Sequence, residues 1–353
     1  MKVVILGDTH VGARSDSLAF HNHFDKFYSN VLFPYMESAG ITQIIQLGDL
    51  FDKRKTINFN TLHLARQYFF DPLRDRGFKM DVLAGNHDTA FRSTNEVNSP
   101  KLLLGEYDNI RAFSEPVTLN YDGLDVAILP WVNPSNYADC MKFVEDTPAQ
   151  ILMGHLELAG FEMYRGTIID HGMPMELFQK FDMVCSGHYH HKSSRGNIHY
   201  LGTPTELTWS DFNDPRGFHV FDTQTRNLEF ILNPYRMFHK IHYNDSDKDM
   251  DQILDFEDDM YEGTYVKVVV HQKTNPYWFD LFIEKLEKTG AVDIQVVDDH
   301  LNLSMEGDDE IMQEAEDTLT ILRKVVDGVE TNVPKAALEN FLVSLYQEAQ
   351  HHE

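Results

Sequence analysis

Short apolar runs of strand length punctuate the first two thirds of the chain. They are Lys2–Leu6 (KVVIL), Ile41–Leu47 (ITQIIQL), Met80–Ala84 (MDVLA), Leu124–Leu129 (LDVAIL), Ala149–Met153 (AQILM) and Phe181–Ser186 (FDMVCS). Runs of this length that barely alternate with polar residues predict buried strands. Between them, residues from about Leu18 to Ser38 and from Thr61 to Arg76 carry apolar positions at helical spacing, with Gly77 as a stop signal. Gly217–Thr223 and Leu228–Asn233 predict a closing hairpin. Strands interleaved with helices predict an α/β layered domain over residues 1–235.

Near Pro234 the pattern changes. Lys240–Asp245, Thr264–Gln272 and Val292–Asp299 look like strands, and Asp249–Phe256 and Tyr277–Gly290 look like helices between them. This strand–helix–strand–helix–strand order predicts a second, small α/β domain over residues 236–303. An acidic linker follows. Two amphipathic pieces, about Glu310–Val326 and Pro334–Gln350, complete a C-terminal helical tail over residues 304–353. In the second piece Leu338, Phe341, Leu342 and Leu345 fall at the i, i+3, i+4, i+7 spacing of one helix face. An apolar helical face held on a linker suits a partner's groove or coiled coil.

Composition narrows the class. A chain of 353 residues with 42% hydrophobic and 24% charged residues fits a soluble globular protein of more than one domain. Its apolar runs are too short to span a membrane, and no signal-peptide pattern opens it. Two cysteines, Cys140 and Cys185, allow one disulfide at most and lack zinc-pair spacing. A reducing cytoplasm is the expected location. The net charge of −26 excludes generic adhesion to nucleic acid or anionic membrane. From Arg236 onward 10 Lys+Arg face 27 Asp+Glu, a balance of −17 against −9 for residues 1–235. A nucleic-acid substrate therefore needs local cations.

The chemistry sits where apolar runs stop. Asp8 and His10 follow the first run, Asp49 the second, Asn86 and His87 the third. His155 follows another, and His188 and His190 the last. In each, glycine comes directly before an Asp, Asn or His. The C-terminal strand ends of an α/β sheet meet at one rim, where ligands bind. Carboxylate, amide and imidazole donors suit divalent ions such as Mn²⁺, Fe²⁺ or Zn²⁺, and the lack of thiolates argues against a structural zinc site. One central carboxylate can bridge two ions, and Asp49 is the candidate. Taken singly, Asp8 could cap a turn and His155 could be a core histidine. The ordered set is what points to a binuclear centre. His21, His23, His63 and His351 read as packing or solvated side chains, and His171 and His191 as unpaired ones near the site.

The order GDTH, GD, GNHD, GH, GHYH resembles the calcineurin-like metallophosphoesterases over residues 1–235. Within it, GDTHVGARSDS and LGDLFDKRKT resemble the SbcD-type DNA-repair nucleases, and the chain's size and divergent tail resemble their T4-type phage branch, a recombination endonuclease subunit. The resemblance implies a layered β-sandwich flanked by helices, a DNA-capping domain, and a tail that binds an SMC-like ABC ATPase. It implies two divalent ions per chain, with Mn²⁺ expected and Mg²⁺, Fe²⁺ or Zn²⁺ as alternatives. Asp8, His10, Asp49 and His190 would hold one ion; Asp49, Asn86, His155 and His188 would hold the other. His87 would protonate the leaving oxygen or steady the transition state, with Asp88 fixing its tautomer. Some relatives carry histidine at the position of Asp52, so a second proton-transfer role is not expected there. The implied reaction is in-line attack on phosphorus by a metal-activated hydroxide. The implied assembly is a homodimer, through helices near Thr61–Phe70 and Glu96–Leu104, within a heterotetramer.

The same motifs also serve metallophosphatases and nucleotide phosphodiesterases acting on small or protein substrates. DNA is favoured by the Lys53-Arg54-Lys55 run, by Arg14, Arg92 and Arg195 beside the motifs, and by a second domain and tail that a small phosphatase does not need. The expected activity is DNA exonuclease and endonuclease cleavage in double-strand-break processing and recombination. In an inert scaffold the ligand set would have eroded, and none of the seven is missing.

Overall fold

The computed structural model describes residues 1–298 and Lys335. The chain divides into two compact units, Met1–Leu207 with Asp211–Leu301, and Thr208–Ser210 with Asn302–Glu353. The first is described below. The expected tail helices, with Leu338, Phe341, Leu342 and Leu345, lie outside the described residues.

Twelve of the strands ahead of Pro234 build the main sheets of the larger part. They are β1 (Lys2–Leu6), β2 (Gln43–Gln46), β3 (Lys79–Leu83), β4 (Ile110–Phe113), β5 (Val117–Tyr121), β6 (Leu124–Leu129), β7 (Ile151–His155), β8 (Met183–Gly187), β9 (Ser193–Arg195), β10 (Ile198–Tyr200), β11 (Gly217–Asp222) and β12 (Leu228–Leu232). They form two six-stranded sheets, ordered β12-β11-β1-β2-β3-β4 and β9-β10-β8-β7-β6-β5. In the first sheet β1, β2, β3 and β4 run parallel; in the second β6, β7, β8 and β10 do. The expected hairpin is present as β11 and β12, and β11 also pairs antiparallel with β1.

Side-chain alternation makes this a sandwich. Val3, Ile5, Ile45 and Leu83 of the first sheet meet Val126, Ile128, Ile151, Met153 and Cys185 of the second in one buried core. Each such aliphatic side chain contributes about 1.5–3 kcal/mol by leaving water. The outer faces are covered too. On β11, Phe221 points between the sheets while Phe218 packs on Phe27 and Tyr35 of the helical layer. On the second sheet, Leu152 and Val184 pack with Cys140 and Val144 of the helix Tyr137–Asp146. Coverage on both faces is why the strands read as unbroken apolar runs. Both cysteines are free and buried.

The two long helical stretches differ from the uniform helices expected. Each contains a widened turn, Tyr28–Leu32 and Arg66–Phe70, in which the N–H of Phe33 reaches Tyr28 O and that of Asp71 reaches Arg66 O. Pro34 and Pro72 follow directly. Proline has no N–H and its ring crowds the preceding turn, and a local i→i−5 turn relieves both problems. The widened turns meet each other: the Tyr28 ring stacks on Phe69 with centroids 4.2 Å apart. Phe69 and Phe70 are fully buried, so these two residues of the expected dimer helix belong to the chain's own core, while His63 and Gln67 are exposed. Of the other expected helix, only Ser99–Leu103 is helical, because Thr94–Asn98 is a hairpin strand. Leu102 and Val97 are exposed apolar groups there, and Phe59 lies just ahead of the first expected helix at 89% exposure.

Beyond Pro234, β13 (Phe238–Asn244), β14 (Tyr265–Gln272) and β15 (Asp293–Asp298) form a three-stranded parallel sheet in chain order. Met250–Leu254 and Pro276–Lys288 are the crossover helices. Asn275 caps the longer one, its side chain accepting from the N–H groups of Tyr277 and Trp278. Val266, Val268, Val270, Phe279, Phe282 and Leu286 form a core of their own. This sheet meets the larger part through Phe20, whose ring lies 6.3 Å from Phe238 and 6.0 Å from Tyr265. Glu206 adds a buried carboxylate that accepts from the N–H groups of Met237 and Phe238.

Candidate metal centre

Five parallel strand ends converge. Asp8 follows β1, Asp49 follows β2, Asn86 and His87 follow β3, His155 ends β7, and His188 follows β8. Glycine permits the approach: a Cβ on Gly85 would overlap Asp49, and one on Gly187 would overlap the Asp8 carboxylate. His10, Asp49 and His188 adopt left-handed backbone with φ of 44°, 51° and 88°. Such strain in non-glycine residues is stored where side chains must be aimed. Backbone bonds tie the loops together: Thr9 N and His10 N donate to Asp49 O at 3.1 and 3.0 Å.

The polar atoms converge in three trios among the described residues. Asp8, His10 and His190 form one, Asp49, His155 and His188 another, and His10, Asp52 and His87 a third that shares His10 with the first; within each, the candidate ligand atoms lie within 4.8 Å of one another. Asn86 Oδ1 lies 2.7 Å from His155 Nε2 and 2.9 Å from His188 Nδ1. Asp49 Oδ2 lies 3.4 Å from His155 Nε2 and 3.8 Å from His10 Nε2, between the first two trios. The seven residues expected as ligands are therefore brought together.

Their chemistry fits cations. His155 Nδ1 donates to Leu47 O at 2.8 Å, so its Nε2 lone pair faces two oxygens. His10 Nδ1 donates to Asp52 at 3.2 Å, so its Nε2 lone pair faces His190 Nε2 at 3.1 Å. Lone pairs aimed at lone pairs repel unless a proton or a cation lies between them. The electrostatics point the same way. Burial, with Asp49 beside it, pushes Asp8 up to about 7. Burial also opposes ionisation of Asp49, yet the imidazoles of His155 and His87 hold it well below the usual carboxylate range. Burial disfavours charge on His155, but Asp49 and Asp8 outweigh it and lift its pKa to about 9. Burial and the nearby His10 and Arg216 push His190 well below its ordinary value, which keeps it neutral. Imidazoles and carboxylates that share protons in this way suit divalent ions.

His87 stands beside these groups. Its N–H donates to Asp49 Oδ1 at 2.7 Å, and its Nδ1 donates to the Asp52 carbonyl at 2.6 Å. Its ring lies 4.8 Å from that of His10. This corrects the reading of Asp88 as the residue that fixes the His87 tautomer: the Asp52 main chain does so. The fully buried Asp88 carboxylate instead accepts from the N–H groups of Leu50, Phe51 and Gly85 and from the Ser99 hydroxyl. It clamps two ligand loops together.

The cations expected near the site are placed differently from one another. Lys53 pairs with Asp16 at 2.6 Å, and Lys55 is exposed. Arg54 is half-buried in the same loop. Arg92 is exposed at the tip of the hairpin Thr89–Phe91/Thr94–Asn98. The Arg14 guanidinium lies 6.0 Å over the Phe238 ring, against the small sheet. Arg195 is carried off. On β9 it pairs with Ile198, which pairs with Val184, four residues before His188 on β8. The antiparallel turn returns the chain toward the other end of the sheet. His191, read as unpaired, bonds Asp214 at 2.8 Å.

Two residues at the site were missed in the sequence. Arg216, buried far from the motifs in the chain, donates to the His190 carbonyl and binds Asp211 and Asp214 at 2.6 and 2.9 Å. Trp131 lies with its ring centroid 5.2 Å from that of His188 and 6.0 Å from that of His155. The only signal for Trp131 was its place after the apolar run Leu124–Leu129, at one more strand end.

A two-sheet sandwich with such donors on its converging strand ends is the framework of a metallophosphoesterase. The family profile of the calcineurin-like phosphoesterases matches residues 1–192, and the chain belongs to that family. It is 31% identical over 353 residues to Exonuclease subunit 1 of Enterobacteria phage T4, covering 99% of this chain and 99% of that protein. It is also similar to the SbcD component of the Staphylococcus epidermidis nuclease SbcCD, at 24% identity over 65% of this chain and 67% of that protein. The corresponding Staphylococcus saprophyticus protein matches at 24% identity over 70% and 73%. No helix among the described residues is long and apolar enough to cross a membrane.

Proposed function

We propose that the chain is a metal-dependent DNA nuclease subunit, cleaving phosphodiester bonds as an exonuclease and endonuclease in double-strand-break processing and recombination. The observation that carries this reading is the pair of ligand groups meeting at Asp49, in a chain alignable end to end with a phage exonuclease subunit. Asp8, His10, Asp49 and His190 would hold one ion, and Asp49, Asn86, His155 and His188 the other. When bound, two divalent ions, Mn²⁺ in this proposal, neutralise phosphate charge and acidify water for attack. The protein's own part is then positional. Asp88 locks the β2 and β3 loops together, and Asp52 orients His10 and His87. With Nδ1–H committed to a carbonyl, Nε2 is the atom left to take up a second proton, and in the protonated ring it is the atom proposed to pass that proton to the leaving oxygen.

Lys53, Arg54, Lys55, Arg14 and Arg92 are proposed to meet phosphates flanking the scissile one; Arg195 is left out, because the strand register carries it away from the centre. Residues 1–235 would be the nuclease domain, 236–303 a DNA-capping domain, and 304–353 a linker and tail that binds an SMC-like ABC ATPase. A homodimer in a cytoplasmic heterotetramer is the proposed assembly. The test is incubation of the purified protein with Mn²⁺ and either linear DNA or a generic phosphomonoester. DNA cleavage supports the reading. Hydrolysis of the phosphomonoester alone would replace it with a metallophosphatase.

A further inference from the structure

Trp131 is not among the side chains of the two apolar cores described above. It is half-buried, and its indole lies against the rings of two ligand histidines, His188 and His155. Its main chain is held from both sides. Trp131 N donates to Ala84 O at 2.8 Å, directly ahead of the Gly85–His87 loop. Its carbonyl accepts from the amides of Asn95 and Asn136 at 2.8 and 3.0 Å. Asn133, bonded to Asn95 and Asn136, closes a buried network of three asparagines. Buried amides are tolerated only when fully bonded. The phosphoesterase chemistry uses none of these three; besides tying in Ser114 and Ser135, they hold the main chain of Trp131.

His87 lies beside His10 and Trp131 beside His188 and His155, so the two flank the ligand set on different sides. His87 serves the leaving oxygen in the reading above, on which this inference rests. Trp131 is then left for the part of the substrate beyond the phosphate. A half-exposed, rigidly held indole offers a π-face, which every nucleobase can meet without sequence preference. We propose that Trp131 is a stacking platform for the base of a nucleotide flanking the scissile phosphate. A base can stack there only after leaving its own helix, so the platform selects single-stranded or frayed DNA.

The test uses the full chain with Mn²⁺, a single-stranded oligothymidylate, and the same oligonucleotide with abasic sites flanking the cleaved bond. Trp131→Leu should raise KM on oligothymidylate roughly tenfold to a hundredfold. Its kcat should change less, and Trp131→Phe should restore most of the loss. On the abasic strand, wild type and Trp131→Leu should behave alike. Equal losses on both strands would make Trp131 a packing residue for His188, and unchanged kinetics on both would remove it from the substrate site; either result overturns the proposal. Should Trp131→Leu fail to fold, fluorescence decides. In a Trp209→Phe/Trp278→Phe background Trp131 is the remaining indole, and oligothymidylate should quench it while the abasic strand does not. Equal quenching by both strands, or by neither, overturns the proposal. A wild-type protein that cuts no DNA would fail at the earlier step, as a failure of the nuclease reading itself.

Discussion

Asp49 shows how much one residue can carry. It follows the second strand, adopts left-handed backbone, accepts from the His87 N–H, and lies between both ligand groups. Asp49→Asn keeps the amide-accepting oxygen but removes the charge. We expect the fold to persist and DNA cleavage at saturating Mn²⁺ to fall by at least roughly a hundredfold. Wild-type turnover in this variant would remove Asp49 from the centre. His87→Ser is expected to separate chemistry from metal binding, because Nδ1 is already bonded to a carbonyl. Cleavage should slow by about 10²–10⁴-fold, with two ions per chain still counted by elemental analysis. Loss of one ion would mark His87 as a ligand.

Elements differ in how openly the sequence announces them. Strands covered on both faces are announced by continuous apolar runs, and β1 was bounded to the residue. The short strands β9 and β10 carry too little pattern to stand out, and their pairing depends on β8. The widened turns at Tyr28–Leu32 and Arg66–Phe70 are signalled by Pro34 and Pro72, yet their purpose appears only in the packing of Tyr28 on Phe69. Phe69→Ala empties a fully buried site within that aromatic cluster. A loss of about 3–5 kcal/mol is expected in urea denaturation of the metal-free protein. A loss below about 1 kcal/mol would mean that the two turns do not support one another.

The whole molecule depends on joints that no single element contains. Glu206 bonds the first strand of the small sheet, and burial pushes its carboxyl up to about 7 from an ordinary 4.5. Between those values the native state keeps a proton that the unfolded state has released, so this group's contribution to stability falls as pH rises, then levels above pH 7. The drop is on the order of 3 kcal/mol. Glu206→Gln keeps an accepting oxygen and cannot titrate, so its stability measured from pH 4.5 to 7 should decline less than wild type; parallel curves would show that Glu206 is ionised throughout. At the other end of the chain, deleting residues 305–353 is expected to abolish co-purification with an SMC-like ATPase while Mn²⁺-dependent cleavage of single-stranded DNA survives. Unchanged binding, or unfolding of the truncated chain, would make the tail a structural element of this subunit.

What the sequence determined by itself is local. An apolar run, then glycine, then an oxygen or nitrogen donor is written within a few consecutive residues, so the candidate ligands and their strand-end placement were legible without coordinates. What only the tertiary structure decided lies between residues far apart in the chain. His188 N meets the Asp8 carboxylate across 180 positions, and the Asp52 carbonyl meets His87 across 35. Asp88 looked like the partner of His87 because the two are adjacent, but successive residues at a tight turn need not face the same way, and Asp88 faces the β2 loop. Arg195 looked close to the site because it follows GHYH by only a few residues, until an antiparallel strand carried it back along the sheet. Trp131 had no motif to mark it. Its place beside His188 exists only because β6 and β8 flank β7 in one sheet and end at the same rim.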